Sequence, residues 1–340
     1  MLRNLPMSEV MTRKIVRPAL FFGLLLLLAT ACVQRQSVAT DGAGQPEEIA
    51  RQLLASGCRS FQGGEYGDAM RFFREAMVIA RGVDAGAVMA LAAVNMAETS
   101  LALGDEDAAG QNLGQARRLV RREGLAELRP RLDLVAANLA VRAGRGGEAF
   151  ALLAPYLSAA SPQVGGELRL AALVSRVQLA FAAEEGAAAR QWLDRYRQAV
   201  AALAAGAPRH AAQLLRFEAR LCYREGDQEG GDRRFAEAVA IYRAGAVRPG
   251  LAAGLAEWGR LLMAAKQWEA ARDRLDRAFF VRVAMADRHG ADETLALLEQ
   301  LDRASGDRLR AAETRQWREV LHANSPLAWA DLLPGRSVGP

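Results

Sequence analysis

The chain has 340 residues, of which 51% are hydrophobic, and a formal net charge of +5. Residues 1–31 carry Arg3, Arg13, Lys14 and Arg17 against Glu9, so removing them lowers the charge by three, to +2. A chain this close to neutrality is a poor candidate for binding nucleic acid. Few aromatic residues and abundant alanine, leucine, arginine and glutamate predict an all-α protein.

An apolar run near the amino terminus follows a basic stretch. It extends over residues 19–31, about 13 residues, whereas a membrane-spanning helix needs roughly 20. A basic segment, a short apolar run and small residues before a cleavage point are typical of a secretory signal. Translation from Met1 or from Met11 is compatible with this interpretation.

The end of the apolar run has two interpretations. Ala29-Thr30-Ala31 fits the cleavage rule for a soluble periplasmic or secreted protein. The same stretch, "LATAC", resembles a bacterial lipobox, although Ala29 stands where leucine is most frequent. The resemblance implies that residues 1–31 are a signal peptide and that Cys32 is acylated. Because Val33 rather than aspartate follows, it also implies an outer-membrane anchor facing the periplasm.

Residues 32–46 are polar and lack a helical period, which predicts a flexible tether. Residues 47–322 contain an internal repeat, first visible as the frame Gly64, Ala69, Phe73 and Ala76. The small residue of this frame recurs at intervals of 40 positions, once 42, as Ala69, Ala109, Ala149, Ala189, Gly231, Ala271 and Ala311. This register predicts about seven helix-turn-helix units with helices of roughly 17 residues.

Glycine and proline punctuate the predicted array. Glycine is expected to end the first helix of five units, at Gly64, Gly104, Gly144, Gly226 and Gly306, while Glu184 and Lys266 hold that place in the other two. Prolines that can open a helix fall between units, at Pro130, Pro162, Pro208, Pro249 and Pro326. In residues 323–340, Ser325 and Pro326 predict a short capping helix followed by a tail.

The frame resembles the tetratricopeptide repeat. The first unit matches the family signature at Leu53, Gly57, Gly64, Tyr66, Ala69, Phe73 and Ala76. A period of 40 rather than 34 residues resembles an extended subclass of these repeats. The resemblance implies a right-handed α-solenoid whose first helices line a concave groove. Their ninth positions are then Cys58, Glu98, Asn138, Gln178, Arg220, Arg260 and Gln300.

Arginines on one predicted helix suggest what such a groove would bind. Arg216, Arg220 and Arg224 are spaced four apart and form a stripe, with Tyr223 beside it. One hypothesis is a cationic groove for an acidic or C-terminal segment of a partner protein. The other is that Glu257 or other carboxylates neutralise the stripe. The residues expected to line the groove are Glu98, Asn138, Arg142, Gln178, Arg216, Arg220, Tyr223, Arg224, Arg260 and Gln300.

The sequence contains no phosphate-binding glycine loop, no zinc-protease motif and no serine-hydrolase elbow. We therefore expect no catalytic residues, metal or cofactor. The expected function is that of a scaffold or assembly adaptor for proteins in the cell envelope. The alternative is an envelope protein that binds a cell-wall peptide or an exported polysaccharide. A polysaccharide would need aromatic side chains in the groove, for which Phe61, Phe181 and Tyr223 are the candidates.

Overall fold

The computed structural model describes residues 45–157, 166–203 and 207–323, which are all-α and contain no strand. Numbered in chain order, the helices are α1 Gln45–Gly63, α2 Tyr66–Gly82, α3 Gly86–Ala102, α4 Glu106–Arg122, α5 Arg129–Arg142, α6 Gly146–Leu153, α7 Gly166–Ala182, α8 Gly186–Ala201, α9 Pro208–Glu225, α10 Gln228–Ala244, α11 Arg248–Ala264, α12 Trp268–Ala284, α13 Arg288–Ser305 and α14 Arg308–His322. None of these helices is long and apolar enough to cross a bilayer. The predicted signal, the lipid site at Cys32, most of the tether and the capping helix lie outside the described residues.

Each helix packs on the next one in the chain, and odd-numbered helices also pack on one another, as α1 does on α3 and α9 on α11. This arrangement is consistent with a solenoid of helical repeats. The small residues that mark the 40-residue period lie on the even-numbered helices and are buried. The predicted register is therefore confirmed. A side chain larger than alanine at these points would separate the two helices of a pair, because little space remains between them.

The turns inside the helix pairs share one backbone conformation. All five predicted glycines have positive φ angles, from 74° at Gly144 to 87° at Gly226. Glu184 and Lys266, at the equivalent positions, adopt φ angles of 59° and 58° although they carry side chains. The left-handed conformation costs a non-glycine residue free energy, which the backbone hydrogen bonds of these two turns offset, from Glu184 to Phe181 and from Lys266 to Met263.

Prolines begin several of the odd-numbered helices, as the sequence predicts. The first turn of α5 contains Pro130, that of α9 contains Pro208, and that of α11 contains Pro249. A proline is tolerated there because the first amide groups of a helix have no intrahelical partner. Pro162 and Pro326 lie outside the described residues.

The expectation of uniform helices of about 17 residues is wrong for α6, which has eight residues. A short 3-10 turn over Ala154–Tyr156 follows it. Pro155 accounts for the early end, because it has no amide hydrogen for the helical ladder and its ring collides with the carbonyl four residues earlier.

Segments that are far apart in the sequence meet in the fold. The Arg248 guanidinium, at the start of α11, donates to Glu65 Oε1 in the α1–α2 turn at 2.8 Å. Beside this ion pair, a Cβ added to Gly64 would lie 2.6 Å from the sulfur of Met285. The array is therefore curved strongly enough to bring α1 and α2 against α11 and the turn before α13.

A second contact of the same kind involves Gly104, in the α3–α4 turn. A Cβ at Gly104 would lie 2.4 Å from Cγ of His289 on α13, so the imidazole rests directly on the glycine backbone. His289 Nε2 lies 3.3 Å from a carboxylate oxygen of Glu293. We refer to Gly64, Glu65 and Gly104, with Arg248, Met285 and His289 opposite them, as the closing contact.

Candidate partner-binding surface

The residues expected to line an open groove differ widely in exposure. Glu98, Asn138, Gln178 and Arg216 are buried, with relative exposures of 1%, 2%, 3% and 1%. They cannot touch a partner unless the chain changes its conformation. The expectation that these four lie on an accessible surface is therefore corrected by the structure, because they pack within the molecule. Arg224 and Gln300 are exposed, and Tyr223 and Arg260 are half-buried.

Glu98 belongs to a buried ion pair between α3 and α5. Arg131 donates to its two carboxylate oxygens at 3.0 and 2.7 Å, and also to Asn95 Oδ1 at 2.6 Å. Burial raises the pKa of Glu98, and the positive charge of Arg131 opposes that shift. This pair joins neighbouring helices, and its hydrogen bonds leave Glu98 directed at the protein rather than at a ligand.

Three other predicted groove residues are held in the interior. The side-chain oxygens of Asn138 and Gln178 are buried and accept no hydrogen bond within the described chain. The Arg142 side chain, 5% exposed, donates to the carbonyl of Leu101 at 2.8 Å and lies 3.9 Å from Glu106. Burial lowers the pKa of Arg142. Unsatisfied buried oxygens cost about 1–3 kcal/mol each, so the two amides are a source of local instability.

Arginines from α9 and α11 surround one carboxylate. Arg216 donates to Glu257 Oε2 through Nε at 3.2 Å and Nη2 at 2.8 Å, and Arg220 Nε lies 3.1 Å from Glu257 Oε1. Arg260, one helical turn after Glu257, makes no hydrogen bond or ion pair with any described residue. We call Arg216, Arg220, Glu257 and Arg260 the Glu257 cluster. Glu257 thus pairs with both Arg216 and Arg220, as one of the two hypotheses from the sequence expects.

The Glu257 cluster holds three guanidinium groups and one carboxylate, which leaves two positive charges uncompensated. Burial alone would raise the pKa of Glu257, but the three arginines outweigh it and lower that pKa. Burial lowers the pKa of Arg220 to about 10, and the charges of Arg260 and Arg216 add to this effect against the attraction of Glu257. Neutralisation is therefore incomplete, and an added negative charge would be stabilised here.

An aromatic ring contacts the Glu257 cluster. The Arg220 guanidinium carbon lies 4.1 Å from the ring centroid of Phe181 on α7. Cation–π contact of this kind compensates part of the lost hydration of an arginine. The Arg220 side chain remains 16% exposed, so the cluster is reached by solvent at Arg220 and Arg260 while Arg216 is closed off.

Two further residues of the predicted stripe point elsewhere. Arg224 donates to the backbone carbonyl of Glu184, in the turn between α7 and α8. The Tyr223 hydroxyl donates to Asp232 on α10, and burial raises the pKa of Tyr223. The structure therefore brings Arg216, Arg220 and Arg260 together, but it separates Tyr223 and Arg224 from them.

Arg131 and Asn95 were not predicted from the sequence, because Arg131 follows Glu98 by 33 positions, well short of the 40-residue period. The spacing is informative for the other ion pair, since Glu257 follows Arg216 by 41 positions, close to one period. Residues one period apart on odd-numbered helices are neighbours, so opposite charges at that spacing predict an ion pair.

No protein-family model matches the chain, and the comparison with curated proteins returned no similar sequence. Among the described residues, no group of three histidine, cysteine or acidic side chains is arranged to hold a metal ion.

Proposed function

We propose that this chain is a lipid-anchored scaffold of the cell envelope, with seven tetratricopeptide-like repeats in a right-handed superhelix. Its partner is a protein with an acidic or C-terminal segment, which docks on Arg220 and Arg260. The proposal makes it an adaptor rather than an enzyme. The repeated helix pairs support an extended binding surface, since arrays of this kind expose long continuous faces.

The observation that carries the proposal is the uncompensated charge of the Glu257 cluster. Arg260 has no hydrogen-bonded or ion-paired partner among the described residues, although the carboxylate of Glu257 is nearby. A buried or half-buried arginine is ordinarily paired, because leaving water costs a charged group several kcal/mol. A partner carboxylate at Arg260 would supply the missing charge and would be recognised through two parallel hydrogen bonds.

A cell-wall peptide is compatible with the same cluster, since such a peptide carries carboxylates. An exported polysaccharide has less support. Phe61 and Phe181 are buried in the hydrophobic core, and the Tyr223 hydroxyl is committed to Asp232. These side chains offer no aromatic platform on which sugar rings could stack.

The decisive experiment places a photo-crosslinking amino acid at Gln300, which is exposed and lies one period after Arg260. Gln178 is unsuitable for this purpose because it is buried. We expect a discrete crosslinked protein when the chain is expressed in its native host. The same crosslink should disappear in the Arg260→Glu variant, whose new charge repels an acidic partner.

The matched control is Arg233→Glu, which reverses the charge of an exposed arginine on α10 that pairs with Glu229 and not with the cluster. This variant should give the same crosslink as the wild type. A crosslink that survives Arg260→Glu, or one that both variants remove, would contradict docking at the cluster. Arg260→Glu is expected to fold, because it relieves repulsion between neighbouring arginines.

The anchor is tested separately by the intact mass of the exported chain. Acylation predicts a mature chain that begins at Cys32 and is heavier than its sequence by the attached lipid. The Cys32→Ser variant should remain unprocessed or be released into the soluble fraction. An unmodified mature chain would refute the lipid anchor and leave the scaffold proposal standing.

A further inference from the structure

A second cationic site lies away from the Glu257 cluster, where the end of α4 meets the start of α5. An open groove of about 540 Å³ is lined there by Arg117, Arg121 and Arg129. Val120 and Leu132, both buried, also line the groove and supply apolar surface. A volume of this size is in the range that holds a small ligand or one group of a larger one.

The three arginines have no carboxylate partner among the described residues, although all three are exposed. Asp133, the acidic residue that lines the groove, accepts the Tyr156 hydroxyl at 2.5 Å and forms no ion pair with them. Several arginines on later helices are paired instead. Arg190, Arg197 and Arg272 each contact at least one carboxylate.

The groove is also electrostatically unfavourable as it stands. Arg117 and Arg121 are four residues apart on one helix, where like charges repel. Arg129 is the first residue of α5, and a cation at a helix amino terminus is opposed by the helix dipole. By contrast, the charge of Arg122, the residue after Arg121 on α4, is balanced by an ion pair with Glu123 at 2.6 Å. An anion in the groove would relieve both sources of repulsion.

We infer that the groove formed by Arg117, Arg121 and Arg129 binds a phosphate group. A single carboxylate carries one charge and satisfies one guanidinium fork. A phosphate monoester carries a charge of about −1.5 to −2 at neutral pH and offers three strong acceptor oxygens, which suits a groove lined by three arginines. Val120 and Leu132 accommodate the carbon atoms next to the phosphate. The site is independent of the proposed scaffold function.

The phosphate has two possible sources, a lipid headgroup or a soluble phosphate ester, and one experiment distinguishes them. The full chain is treated with phenylglyoxal, which modifies arginine, and the rate at each arginine is followed by mass spectrometry. Ligands are inorganic phosphate, acetate, phosphatidylcholine vesicles, and the same vesicles containing phosphatidic acid, a lipid phosphate monoester, all at equal ionic strength. Arg74 and Arg243, exposed arginines that do not line the groove, report non-specific screening.

We expect phosphate to slow modification of the three groove arginines about tenfold at ten times its Kd, because only the unoccupied fraction reacts. Arg74 and Arg243 should react at unchanged rates. Protection by phosphatidic acid vesicles beyond that by phosphatidylcholine assigns the phosphate to a lipid, and protection by inorganic phosphate alone assigns it to a soluble ester. Both outcomes support the site.

Three outcomes would overturn the inference. They are equal protection of the groove and control arginines, equal protection by acetate and phosphate, and no protection by any phosphate-bearing ligand. The variant Arg121→Gln adds an independent check, since it should abolish protection of Arg117 and Arg129. The charge-matched variant Arg243→Gln should leave that protection intact.

Discussion

Replacing Gly104 with alanine tests whether the closing contact stabilises the chain. Gly104 has a φ of 77° and Gly144, the matched control, has a φ of 74°. Alanine at either position therefore costs about 1–2 kcal/mol of backbone strain. Only at Gly104 does the new Cβ collide, at 2.4 Å from His289 Cγ, whereas nothing lies within 4 Å at Gly144. Displacing the imidazole adds about 1–3 kcal/mol of overpacking cost.

The assay is urea unfolding of both variants, followed by far-ultraviolet circular dichroism. We expect Gly104→Ala to lose about 1–3 kcal/mol more unfolding free energy than Gly144→Ala, because the strain is common to both. Small-angle scattering should also give a larger radius of gyration for Gly104→Ala. Equal losses in the two variants, with unchanged radii, would refute the reasoning and show that the closing contact contributes no stability.

Three further predictions concern single side chains. Lys266→Gly should raise the unfolding free energy by about 0.5–1 kcal/mol, because glycine relieves a φ of 58°, whereas Lys266→Ala should leave the urea midpoint unchanged. Glu257→Gln should lower the unfolding free energy by about 3–5 kcal/mol, because it leaves three cations without a counter-charge. The control Glu313→Gln, at an exposed position, should change it by less than about 0.5 kcal/mol. Equal losses of unfolding free energy in the two variants would contradict a stabilising role for Glu257 in the cluster. The ion pair with Glu293 raises the pKa of His289, against burial and the charge of Arg142 and with a smaller contribution from Asp287. The stabilisation that protonated His289 contributes is therefore complete below its unfolded-state pKa of about 6.5 and is lost as the pH rises through its higher folded-state pKa. His289→Gln should accordingly flatten the dependence of unfolding free energy on pH above about pH 6.5. Parallel profiles of variant and wild type would disprove this.

The local features of the fold were predictable because they depend on neighbours in sequence. A small residue is needed wherever paired helices touch, and so the 40-residue spacing of Ala69 and Ala109 locates the even-numbered helices. The turn conformation was readable from glycine in five pairs. The same turn could be predicted at Glu184 and Lys266 only because the 40-residue register places them at the equivalent position. The shortened α6 also had a sequence signal, Pro155, which the uniform-repeat interpretation overlooked.

The closing contact was not predictable by the same route. Glu65 and Arg248 are 183 residues apart, and their meeting depends on small rotations added over successive helix pairs. A sequence period specifies the length of each pair but not that rotation, which is set by side-chain packing between pairs. For the same reason, the burial of Asn138 and Gln178 could not be foreseen. The period places them on the inner helices and does not say how tightly those helices curve.

The period does, however, separate arginines that the chain neutralises from those that it leaves for a ligand. One period from Arg216 stands Glu257, and the two form an ion pair. One period from Arg220 stands Arg260, whose charge adds to burial in lowering the pKa of Arg220. Like charges in that register destabilise the array unless an anion is shared between them. The Glu257 cluster contains such a spacing, and this repulsion, rather than exposure alone, distinguishes the cluster from the ordinary charged surface.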